Sequence, residues 1–70
     1  MQLSYNINAD VICSPLQNLT NGYVTNPTYR SEGSVASYGC NVGFILVGNE
    51  TRTCGNNGTW SGDEPKCGKL

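Results

Sequence analysis

Four cysteines, Cys13, Cys40, Cys54 and Cys67, constrain this chain more than any other feature. The chain has 70 residues, and few large apolar side chains lie between the first and last cysteine. They are spread thinly from Leu16 to Trp60. A core of that size rarely supplies more than about 3–5 kcal/mol against chain entropy. An even number of cysteines in a short, loop-rich chain reads as a disulfide framework, and four cysteines allow three connectivities. Each bridge would close a long loop and contribute roughly 3–4 kcal/mol by restricting the unfolded chain. Two such bridges outweigh the core. They require an oxidising compartment: secreted, extracellular or periplasmic. A four-cysteine zinc site is the rival reading. Zinc knuckles place cysteines in close pairs, whereas twelve residues separate Cys54 from Cys67, the nearest two, and the chain has no histidine. No metal and no cofactor are expected.

Charge excludes further classes. The net charge is −1, and the cations Arg30, Arg52, Lys66 and Lys69 are scattered along the chain. A nucleic-acid or heparin footprint needs clustered Lys and Arg. No apolar run approaches the length of a membrane span, so no direct membrane insertion is expected. No basic-then-apolar signal opens the chain. A secreted reading therefore predicts one module of a longer ectodomain.

The chain reads as short strands between turn signals, with no helical periodicity. Residues 1–12 form an N-terminal tail or linker in which Leu3, Tyr5 and Ile7 alternate with polar residues. Asn21-Gly22 is a turn before Tyr23-Val24. Asn26–Gly33 is a loop, because Pro27 lacks a backbone donor. Val35–Cys40 is a strand, and Phe44–Val47 is the strongest strand. Gly48-Asn49 is expected to turn it back into Glu50–Cys54. Asn56-Asn57-Gly58 marks a tight turn. Pro65 stiffens the approach to Cys67, and residues 68–70 are a C-terminal linker. The result is an all-β module, thin and elongated, with short strands along its axis.

These residues also carry a pattern. Gly33-Ser34, then Tyr38-Gly39-Cys40, then Gly43-Phe44-Ile45-Leu46-Val47-Gly48 resembles the centre of the sushi, or complement control protein, family. Cys54, Gly58-Thr59-Trp60-Ser61-Gly62 and Pro65-Lys66-Cys67 resemble its close, and Cys13-Ser14-Pro15 with Asn21-Gly22 resembles its opening. The resemblance spans residues 13–67. It implies a small, disulfide-stapled module of short antiparallel strands, with pairings Cys13–Cys54 and Cys40–Cys67. It also implies that Trp60 packs in the core near a disulfide. One departure is Ala36, where the family usually has a larger aliphatic residue. Neighbours on a strand face opposite sides, so Val35 is expected to point outward.

Catalysis is not expected. A nucleophile needs a base in reach, and histidine is missing. The adjacent acids Asp63 and Glu64 point apart on an extended chain and cannot share one site. Three glycosylation sequons are present, at Asn18, Asn49 and Asn57, while Pro27 excludes Asn26. Four consecutive apolar residues, Phe44–Val47, cannot all face one core. With Phe44 and Leu46 inward, Ile45 and Val47 point out. Together with Val35 they form a candidate apolar partner patch. The expected role is therefore a non-catalytic extracellular recognition module of a secreted or cell-surface protein, resembling those of complement regulators or adhesion receptors. Its partners would be extracellular proteins or neighbouring modules of the same chain, and the isolated module would be monomeric. The alternative is a rigid spacer with no ligand of its own.

Overall fold

The computed structural model describes residues 11–70, so the alternation of Leu3, Tyr5 and Ile7 lies outside the described residues. The described chain contains five short strands: β1 (Gly22–Thr25), β2 (Val35–Cys40), β3 (Phe44–Val47), β4 (Thr51–Thr53) and β5 (Lys66–Lys69). They form two antiparallel sheets, one ordered β1-β2-β4 and one made of β3 and β5. The molecule is all-β and thin, 18 × 13 Å across its long axis.

Local chemistry starts strand β1. Asn21 takes φ 63°, and the Gly22 N–H donates to the Leu19 carbonyl at 3.1 Å, which closes the turn into β1. Asn is one of the few non-glycine residues that tolerates this left-handed conformation. Gly22 is then needed for space, because a Cβ there would sit 2.5 Å from the Cys67 sulfur and from the Gly39 carbonyl. In β2 the alternation is complete: Val35 and Ser37 are exposed while Ala36 and Tyr38 are buried.

The buried apolar residues are Cys13, Leu19, Ala36, Tyr38 and Cys54. Ala36 and Tyr38 are the inward residues of the central strand. Across the sheet Ala36 pairs with Arg52 of β4. Arg52 donates to the carbonyls of Ser61 and Gly62 at 2.9 and 3.2 Å. The loop between β1 and β2 is held by an Ile12–Ser31 β-bridge, by backbone bonds such as Cys13 N–H to the Arg30 carbonyl at 2.8 Å, and by side chains. Asn26 exchanges two hydrogen bonds with the Leu16 backbone, and Arg30 donates to the Cys13 carbonyl at 2.9 Å.

One expected pairing does not form. Phe44–Val47 does not return along Glu50–Cys54 as a hairpin: β3 pairs with β5, and β4 pairs with β2. The cause lies at Gly48, whose φ of +114° turns the chain out of one sheet and into the other. Pro65 packs against that bend, 3.2 Å from where a Cβ on Gly48 would stand. By Glu50 the chain already lies on β2, with its carbonyl accepting from the Tyr38 N–H at 2.8 Å. The strand β5 also extends two residues past Cys67, through Gly68 and Lys69.

Candidate interaction surface

Two disulfides frame the surface, Cys13–Cys54 and Cys40–Cys67, and no cysteine is free. All four thiols are therefore consumed in bridges. The first bridge joins the entry of the chain to the end of β4. The second holds β2 beside β5, which gives β3 its partner. Trp60 forms a β-bridge with Cys54 and donates its indole N–H to the Ser14 carbonyl at 2.8 Å. It stands beside the first disulfide, half-buried rather than enclosed.

Strand β3 carries two exposed aliphatic residues, while Ile12, Val42 and Leu70 are exposed outside it. Ile45 is 51% and Val47 59% exposed, while Phe44 and Leu46 are half-buried. The reason is visible in the register. Ile45 faces Gly68, which has no side chain to cover it, and Val47 faces Lys66. Val35, 48% exposed, is elsewhere. It pairs with Thr53 at the opposite end of β2 from Cys40, in the three-stranded sheet. The structure therefore brings Ile45 and Val47 together on one strand face and keeps Val35 apart on the other sheet.

The three sequon asparagines are all exposed. Asn18 accepts from the Val24 N–H through Oδ1 at 2.9 Å. Asn57 accepts through Oδ1 from the Thr59 hydroxyl at 2.7 Å and the Thr59 N–H at 3.2 Å, which ties its tight turn. Asn49 follows the bend at Gly48. Asp63 and Glu64 are exposed and precede β5.

Sequence reasoning overlooked Tyr23. Its ring lies across Gly39, where a Cβ would stand 2.5 Å from the phenol carbon, and it remains about half exposed. Tyr23 follows the turn residues Asn21-Gly22, and its cross-strand partner is Gly39. That pairing is invisible until the register is known.

Two bridges in this pairing on a two-sheet frame of short antiparallel strands match the Sushi repeat (SCR repeat) family model, which aligns with residues 13–67. The chain belongs to the sushi-repeat family. It is 43% identical over 61 residues to Protein lev-9 of Caenorhabditis elegans, covering 87% of this chain and 10% of that protein. It is 40% identical over 66 residues to human Inactive serine protease PAMR1, covering 83% of this chain and 9% of that protein. Against Clotting factor C of Tachypleus tridentatus it is 37% identical over 59 residues, covering 83% of this chain and 6% of that protein. This sushi module thus spans a tenth or less of the curated relatives it matches. Sushi repeats are non-catalytic modules of extracellular or cell-surface multidomain proteins, where they bind proteins or neighbouring modules.

Proposed function

We propose that this sushi module is a non-catalytic protein-recognition element of an extracellular protein, and that strand β3 presents its contact surface. The carrying observation is the exposure of Ile45 and Val47 on one face, opposite a glycine and a single lysine. Two exposed aliphatic side chains do not stabilise a small domain. Burying each against a partner is worth about 1.5–3 kcal/mol, enough to matter in a weak interface. The surface is sparsely charged, so recognition leans on apolar contact rather than electrostatic steering. Val35 is a second apolar point, reached by a partner that runs along the module across both sheets. The missing histidine and the bridged cysteines support the non-catalytic reading.

Two strand-compatible substitutions test this, Ile45→Thr and Val47→Thr. In urea unfolding each is expected to change stability by no more than about 0.5 kcal/mol. In calorimetry each is expected to weaken association with the adjacent module or partner protein. A stability loss above about 2 kcal/mol assigns the residue to the core instead. Association that survives both changes places the contact surface elsewhere on the module, and a module that associates with nothing is a spacer.

A further inference from the structure

The module has a groove of about 250 Å³ whose walls come from two distant stretches of chain. Asn18, Leu19 and Thr20 line one side, and Glu64 to Cys67 line the other. Leu19 and Pro65 are its buried apolar residues and Cys67 is half-buried, while Asn18, Thr20, Glu64 and Lys66 are exposed and polar. Its volume falls below the roughly 300–1,000 Å³ of pockets for drug-sized ligands. It suits a single sugar ring, which offers both apolar C–H faces and hydroxyls.

One wall is itself a glycosylation sequon, Asn18-Leu19-Thr20. We propose that Asn18 carries an N-linked glycan whose first N-acetylglucosamine lies in this groove, over Leu19 and Pro65 and between Glu64 and Lys66. The side chain of Asn18 is already oriented for it. Its Oδ1 accepts the Val24 N–H at 2.9 Å, which fixes the amide plane. Glycosylation modifies only Nδ2, so the bond that the fold uses is kept. Transfer joins Nδ2 to the anomeric carbon of an oligosaccharide activated as a lipid diphosphate. The carbon–oxygen bond to the diphosphate breaks, the lipid diphosphate leaves with the electron pair, and one Nδ2 proton passes to a base of the transferase. The attached sugar starts at the groove mouth and loses little freedom in settling there. The other two sequons differ: neither Asn49 nor Asn57 lines this groove.

The inference rests on the extracellular reading but not on strand β3. The chain is secreted from a eukaryotic host behind an added leader, and its glycopeptides are mapped. Asn18 is expected to be occupied. In NMR spectra of that glycoform, the N-acetyl methyl and ring protons of the first sugar are expected to show contacts with Leu19 and Pro65. Thr20→Ala removes the sequon without touching the Asn18 bond, and Thr20→Ser keeps it. From the eukaryotic host the alanine variant is expected to melt a few degrees below the serine variant. From an oxidising bacterial host the two are expected to melt together. An unoccupied Asn18, a sugar without contacts to Leu19 and Pro65, or equal melting from both hosts overturns the proposal. Failure of the β3 substitutions to weaken association leaves these readouts unchanged, so the two ideas fail separately.

Discussion

At Gly22 the module leaves no room for even a methyl group. A Cβ there would meet the Cys67 sulfur and the Gly39 carbonyl, both at 2.5 Å. Neither can swing aside, since one belongs to a disulfide and the other to the central strand. Over-packing of this kind costs typically about 1–3 kcal/mol. Gly22→Ala is therefore expected to lower the urea midpoint by an equivalent amount. A neutral result would mean that β1 can move away from β5 without loss. Tyr23, next along the chain, meets Gly39 in the opposite sense. There the crowded atoms are the far end of a half-exposed side chain, which can rotate away. The two glycines show how one close approach is structural and another is adjustable, although both read as plain glycines in the sequence.

Among the elements, the bend between β3 and β4 decides the topology. Residues 44–53 read in sequence as two strands of one hairpin, yet they lie in different sheets. Gly48 makes the change at φ +114°, a region that L side chains rarely enter, with Pro65 packed against it. A side chain at that position meets both backbone strain, about 1–2 kcal/mol, and the Pro65 ring. Gly48→Ala is thus expected to destabilise by about 2 kcal/mol or more, measured by urea unfolding. Hydrogen exchange should quicken first in β3 and β5, which depend on this bend for their register. Equal acceleration in all strands would show that the bend is not what separates the two sheets. The same element explains why Ile45 and Val47 stay exposed. Their partner strand contributes Gly68 and Lys66 on that face, and among the described residues no third strand joins this sheet.

For the whole molecule, stability rests on cross-links more than on burial. Among the described residues the buried apolar side chains are few, and two of them are cysteines. The bridges span sequence separations of 41 and 27 residues. Loops of that length correspond to about 4 and about 3.5 kcal/mol in the chain-entropy view, against roughly 3–5 kcal/mol for a core of this size. Excess reductant is therefore expected to abolish the near-UV circular dichroism of Trp60 and the tyrosines. A native-like spectrum in reductant would show that the core alone suffices. The bridges also act as geometry. Cys40–Cys67 delivers β5 to β3, and Cys13–Cys54 fastens the entry of the chain to the end of β4, where Trp60 ties in Ser14.

Much of this was legible before any coordinates. The absence of a helical period, the turn residues at 21–22 and 56–58, and the apolar scarcity that demands disulfides are all local or compositional. They led directly to an all-β, cross-linked module. Alternation likewise assigned the two faces of β2 and β3, because side-chain direction along a strand depends only on its immediate neighbours. The disulfide pairing came from the resemblance to sushi modules, since cysteine count alone leaves three choices. Strand β5 stayed hidden. Lys66-Cys67-Gly68-Lys69 has no alternation and little β propensity, and it is a strand because a disulfide sets it against β3. Which strands pair, why Val35 is separated from Ile45, and how Asn18 comes to face Glu64 and Pro65 are likewise matters of tertiary structure. Each joins residues far apart in sequence, and such contacts are chosen by loop closure, cross-links and free sheet edges rather than by any pattern within a few residues.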